Sequence, residues 1–213
     1  LSKHGEDTEA QITRARLLRN KGDFETYLAI VSSVSPGDLV EKGEMVGAVN
    51  TLILLGRSEE AATLAKAGVE AQPESPAAHV ALADVALVSR ETEIAGNALS
   101  RATRLRGNPD AYLVRRSLLA VQEHDPYAAF SHLRQRLQLY PSDGFALWAY
   151  GLLVTDNPDF QDTFRADMER AMGRLHPGSR PLDFQAAGLH LLGRGAEAGE
   201  AVAKGLERDC AAA

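Results

Sequence analysis

The chain has 213 residues, one cysteine, and a net charge of −6 from 23 basic and 29 acidic side chains. That balance argues against a general nucleic-acid surface, and a lone cysteine excludes an intramolecular disulfide. No run of about 18 apolar residues is present to span a membrane. Arginine far outnumbers lysine, which fits a high-GC bacterial genome. The sequence starts at Leu1 and not at Met, so it reads as a processed or truncated piece of a longer protein. The end, Cys210-Ala-Ala-Ala, reads as a cloning remnant before a prenylation box, because no polybasic segment precedes it.

Residues 1–7 form an N-terminal extension. A basic helix carrying Arg14, Arg16, Arg19 and Lys21 then closes at the turn Gly22-Asp23-Phe24. The second pair of elements is the clearest. A helix runs from about Glu44 to Leu55, Gly56 turns the chain in a left-handed conformation, and a second helix runs from about Ser58 to Ala71. Ser58 offers an oxygen acceptor to the new helix, Glu59 and Glu60 supply first-turn acids, and Pro73 stops it. The same pattern returns along the chain. Gly22 and Gly56 are 34 residues apart, as are Ala61, Ala95 and Ala129, while Pro73 and Pro141 are 68 apart. The strings Leu-Leu-Gly-Arg-Ser-Glu-Glu-Ala from Leu54 and Leu-Leu-Gly-Arg-Gly-Ala-Glu-Ala from Leu191 lie four periods plus one residue apart. A fixed period of this length is the signature of a helical repeat array, so the expected fold class is all-α.

At these residues the chain resembles the tetratricopeptide repeat (TPR) family. The resemblance implies a right-handed superhelix of stacked antiparallel helix pairs, an α-solenoid, over residues 8–209. Six units are expected, near 8–41, 42–75, 76–109, 110–143, 144–178 and 179–209, followed by a tail at 210–213. The family places small residues at repeat positions 8, 20 and 27. Here these are Ala15, Ala83, Ser117, Gly151 and Ala186; Ala61, Ala95, Ala129 and Ala198; and Gly68, Ala102 and Gly205. Small side chains let helices approach until their ridges interlock. The first unit departs from the pattern with Tyr27 and Val34, and the fourth with Arg136. The fifth carries an extra residue around Asn157-Pro158-Asp159-Phe160. The last helix, near Gly195 to Asp209, is polar enough to cap the array, or else a further helix of a parent chain covers it.

The resemblance also implies that the first helix of each pair lines a concave groove. Position 5 reads Ile12, Val46, Val80, Val114, Trp148 and then Asp183, an apolar ladder joined by Phe145. Position 9 reads Arg16, Asn50, Asp84, Leu118, Leu152 and Ala187. Position 12 reads Arg19, Ile53, Leu87, Val121, Thr155 and His190. An apolar groove suits an amphipathic helix or an extended peptide, with Trp148 as an anchor. The competing reading is that the valines pack between neighbouring helices. Arg16 and Arg19 would meet an acidic partner segment, or else form ion pairs on a solvated surface. A clamp for a chaperone's carboxylate tail is disfavoured. Only Asn50 and Arg115 match it, and Val46, Ala81 and Ala111 stand where its other polar contacts belong.

No catalytic constellation emerges. The histidines (4, 79, 124, 132, 176 and 190) are scattered, and His79 falls at a helix-packing position. Asp156, Asp159 and Asp162 lack the calcium-loop pattern and read as turn and helix-start acids. The expectation is a non-catalytic adaptor without cofactor or metal, with a protein or peptide partner and no nucleic acid. Cytoplasm and periplasm are both compatible. An accessory region of a longer secretion or export protein or enzyme, and a self-assembling structural protein, are the alternatives. Family analogy alone suggests a bacterial multiprotein assembly as the setting.

Overall fold

Four connections between helices repeat one backbone geometry at 34-residue intervals. Gly22, Gly56, Arg90 and His124 all adopt left-handed φ, at 80°, 74°, 59° and 60°. In each case the next N–H donates to the carbonyl five residues back: Asp23 to Leu18 (3.0 Å), Arg57 to Leu52 (2.9 Å), Glu91 to Ala86 (2.8 Å) and Asp125 to Ala120 (2.8 Å). This is the Schellman closure, which satisfies the last carbonyls of one helix and aims the chain into the next.

The computed structural model describes residues 3–105, 107, 109–140, 143–174, 190, 193–200 and 202–203. The helices are α1 (Lys3–Asn20), α2 (Phe24–Val31), α3 (Pro36–Glu41), α4 (Met45–Leu54), α5 (Ser58–Ala71) and α6 (Pro76–Val88). They continue with α7 (Thr92–Arg104), α8 (Leu113–Gln122), α9 (Pro126–Leu139), α10 (Gly144–Asp156) and α11 (Gln161–Arg174), with 3-10 turns at Pro109–Tyr112 and Pro158–Phe160. No strand occurs among the described residues. Pro141, Asp183, Ala186, Ala187, Gly205, Cys210, Arg106 and His176 lie outside them, as do the side chains of Phe145 and Trp148.

Two compact units divide the chain, Leu1–Arg115 and Arg116–Ala213. In the first, α1 packs on α2, α4 on α5 and α6 on α7, and α6 also packs on both α4 and α5. In the second, α10 packs on α9 and α11. The small residues sit where the helices touch. Ala15, Ala61, Ala83, Ala95, Ala102 and Ala129 are 0% exposed, and a Cβ on Gly68 would stand only 2.8 Å from the Met45 Cε. Close approach is therefore bought by absent side-chain bulk.

Three local departures have physical reasons. Ser58 does not cap α5. The Schellman turn puts Arg57 at the N-cap, where no side chain caps the helix, and the Arg57 guanidinium reaches forward to Glu60 through two bonds of 2.7 Å. By contrast Asp23 and Asp125, at equivalent places, do accept from Thr26 N and Ala128 N. Arg136, at a position meant for a small residue, is accommodated by pairing with Asp143 (2.7 Å) and lying 4.0 Å over the Tyr140 ring. The segment where the sequence reading expects an extra residue forms the 3-10 turn Pro158–Phe160. Its Phe160 stacks on Phe130 (4.2 Å) and meets Tyr127 edge-on (5.1 Å).

The turns yield a direct prediction. A left-handed conformation strains any residue with a Cβ, and nothing lies within 4 Å of the space a Cβ would fill at Gly22 or Gly56. The strain there is thus the backbone's alone. Arg90→Gly and His124→Gly are each expected to raise the unfolding free energy by about 0.5–1 kcal/mol, and Gly56→Ala to lower it by about 1–2 kcal/mol. Urea midpoints of the three variants check this.

Candidate functional site

The site on the first unit is built outward from one carboxylate. Gly43 closes α3 with φ 69°, and the Glu44 N–H donates to the Leu39 carbonyl at 2.8 Å. That fixes Glu44 at the start of α4 with its side chain turned inward, 1% exposed. Arg16 Nε donates to Glu44 Oε2 at 2.7 Å, Arg19 Nη1 to Oε1 at 2.6 Å and the Tyr27 hydroxyl to Oε1 at 2.9 Å. Arg16 Nη2 also donates to the Lys42 carbonyl, and the Arg19 guanidinium lies 5.6 Å from the Tyr27 ring centroid. Gly47 makes room for this knot, since a Cβ there would overlap the Arg19 guanidinium. Tyr27, which stood in the sequence as a misfit, therefore buries a phenol that the carboxylate needs.

The expected groove residues differ in burial and pairing. Ile12 and Val80 are 2% and 5% exposed and belong to the core between helices, which leaves no surface of theirs for direct contact with a partner. Arg16 and Arg19 are tied to Glu44 with 41% and 30% of their side chains exposed. Val46 and Val114 are half-buried, and Asn50 is exposed. Asp84 and Arg115 hold each other through Nε–Oδ1 (2.5 Å) and Nη2–Oδ2 (2.7 Å), a bidentate pair joining α6 to α8. Both groups are thereby engaged, and Arg115 is not a free donor for a peptide carboxylate. Phe145 and Trp148 belong to α10 in the second unit.

Sequence reasoning did not single out Leu54 and Val88. They are 67% and 52% exposed, stand 34 residues apart, and occupy repeat position 13 on α4 and α6, which pack together. The signal was available. The two recur at the 34-residue period, and both are large and apolar at the C-terminal end of a helix whose other large apolar residues are buried or half-buried. Among the described residues no group of three or more His, Cys, Asp or Glu side chains could hold a metal ion, and no helix is long and apolar enough to cross a membrane.

Solved structures decide what frame carries these residues. A crystal structure of MamA matches at 20% identity with TM-score 0.54, covering 79% of this chain and 92% of that one. A tetratricopeptide repeat protein from Parabacteroides merdae matches at 15% identity and TM-score 0.54, over 93% of this chain and 78% of that one. A second MamA structure matches at 17% identity and TM-score 0.51, over 89% and 96%. The chain has the tetratricopeptide-repeat fold. No family model matches the sequence, and a comparison with curated proteins finds no match.

Within this TPR frame the second unit repeats the chemistry of the first with other residues. The Tyr150 hydroxyl donates to Asp167 Oδ2 at 3.0 Å, Arg134 Nε to the same oxygen at 2.7 Å, and Arg170 Nη1 to Oδ1 at 3.0 Å. The carboxylate is again nearly covered, with 9% of the Asp167 side chain exposed. Burial, and next the adjacent carboxylate, pushes the phenols of both Tyr27 and Tyr150 well above their ordinary value. His132 is shifted down, first by burial and then by Arg116.

These arrangements fix two expectations. Removing both Arg16 and Arg19 strands a carboxylate that cannot reach water, whereas removing the carboxylate leaves arginines that can swing outward. Arg16→Ala with Arg19→Ala is therefore expected to cost about 3–5 kcal/mol and Glu44→Gln only about 1–3 kcal/mol, with Glu44→Gln rescuing the double variant. Chemical denaturation of the four proteins measures this. For the phenols, the native state keeps protons that the unfolded state releases above pH 10. Their stabilisation is thus present below the unfolded value and lost as pH rises past it. Stability should fall from about pH 10 upward, and Tyr27→Phe should remove part of that slope in urea titrations at stepped pH.

Proposed function

We propose that the chain is a non-catalytic protein-interaction scaffold that holds a partner peptide or helix against the first-helix face of its leading unit, the concave face of a TPR array. The partner is a protein or peptide, and the setting is an adaptor in a bacterial multiprotein assembly. The observation that carries this is the unfilled apolar surface of Leu54 and Val88, beside exposed Asn50 and half-buried Val46 and Val114. Large aliphatic side chains exposed at one repeat position on packed neighbours suit alternating apolar anchors of a bound segment. Asn50 supplies an amide that both donates and accepts, the chemistry a peptide backbone requires. Arg16 and Arg19, held by Glu44, and the Asp84–Arg115 pair shape this face and leave the apolar positions to supply affinity.

The test is affinity capture from the native lysate with crosslinking mass spectrometry, run beside Leu54→Glu with Val88→Glu. Crosslinks are expected between the partner and Lys42 or Lys21, which lie at the ends of the elements that precede α4 and α2. The double variant is expected to weaken retention by about tenfold or more, since each buried aliphatic anchor carries about 1.5–3 kcal/mol. Undiminished retention by the double variant overturns the reading.

A further inference from the structure

Helix α2 has 8 residues, whereas the second helices of the next two pairs, α5 and α7, have 14 and 13. The run Ser32-Ser33-Val34-Ser35-Pro36 explains the difference. Ser32 and Ser33 turn their hydroxyls back to donate to the carbonyls of Ala29 (2.9 Å) and Ile30 (2.7 Å), offering the chain an alternative to helix continuation. Ser35 then caps a new helix by accepting from the Asp38 N–H (3.1 Å), with Pro36 at its first turn. Helix α5 is left without an equally long neighbour in α2. A cleft of about 520 Å3 lies between α2 and α5, lined also by Val34 and Pro36 of the turn into α3 and by Leu52 of α4, within the range of roughly 300–1,000 Å3 that holds ligands or anchoring side chains.

The cleft has an apolar floor and an acidic mouth. Leu28, Val31 and Leu64 form the floor, and Arg57, Glu59 and Glu60 stand at the mouth. Arg57 is already engaged, holding Glu60 at 2.7 Å and standing 3.7 Å from Glu25. Two carboxylates, Glu60 and Glu25, thus flank a single guanidinium, and the exposed Glu59 on the same rim makes no ion pair among the described residues. A covering segment must bring apolar side chains for the floor and positive charge for the rim.

We infer that the cleft between α2 and α5 is a second docking site, for a basic amphipathic segment of a partner protein. Its apolar side chains enter between Leu28 and Leu64, and its lysines or arginines meet Glu59 and Glu25. Helices α2 and α5 are the second members of their pairs, so this site is separate from the face of Leu54 and Val88 and does not rest on it. Complementary charge at a rim sets encounter and selectivity more than total affinity, while the apolar floor supplies the holding energy.

The probes are two synthetic peptides, each a helix-forming segment with leucines one turn apart. One has lysines flanking the leucines and the other has glutamates at those places. Each is titrated into the 213-residue chain with methyl-labelled leucine and valine, followed by NMR. The lysine peptide is expected to shift the methyl signals of Leu28, Val31 and Leu64. Glu59→Lys should weaken its binding by about tenfold. Thr63→Trp, which fills the cleft from its exposed edge, should abolish the shifts, and Leu54→Glu should leave them unchanged. Should Thr63→Trp fail to fold, Glu59→Lys decides, because that side chain is exposed. Equal binding of the glutamate peptide, binding by a lysine peptide without leucines, shifts confined to α4 and α6, or no shift at all would each overturn the proposal.

Discussion

Helices can stack at close range only where one of them lacks bulk, and this condition governs the whole chain. Ala61, Ala95 and Ala129 meet it directly, each fully covered at the same repeat position. The first unit breaks it with Tyr27, and a different kind of chemistry follows. A phenol placed between helices brings a polar oxygen into the interior, where it needs a partner. Glu44 supplies one, and a buried carboxylate then demands cations of its own. Arg16 and Arg19 answer that demand from α1. A single oversized residue thus commits three further side chains and the glycine beside them, Gly47.

Much of this was legible in the sequence, and what escaped did so for identifiable reasons. The period, the tight turn at Gly56 and the span of α5 come from local rules, and α5 runs over Ser58–Ala71 as expected. Arg90 and His124 share the left-handed turn with Gly22 and Gly56, yet only glycine announces that conformation through its identity. The Glu44 knot joins residues 17 to 28 positions apart, and no local pattern reports such a pairing. Ile12 and Val80 share a repeat position with Val46 and Val114, but the former pair is covered and the latter half-covered. A repeat register gives the direction of a side chain, and the neighbour's size decides how much of it remains in contact with water. Leu54 and Val88 show the same limit in reverse.

The fold and the exposed apolar surface draw on different residues here. The positions that define the repeat are small and hidden, so they carry little information about a partner. Distinctive surface chemistry arises both where large residues recur at an exposed position, at the apolar ends of α4 and α6, and where the repeat is irregular, in the gap beside a second helix that serines and a proline cut short. The fifth unit shows a second irregularity, with Phe160 drawn into an aromatic stack against Phe130 and Tyr127. In both irregular places a departure from uniform spacing creates a feature that other units lack, which is how an array of similar parts acquires addresses.

The placement of Glu44 has a further consequence for how such a chain comes apart. In a stack of units each one leans mainly on its neighbours, so cooperativity passes along the array link by link. The link between α1–α2 and α4 runs through a charged centre as well as through aliphatic packing. Its strength therefore rests on Arg16 and Arg19 as well as on aliphatic contact, whereas α4 to α7 meet one another along alanine-lined seams. Loss of those two cations would loosen the leading hairpin, while α4 to α7 persist as a template on which it can reform.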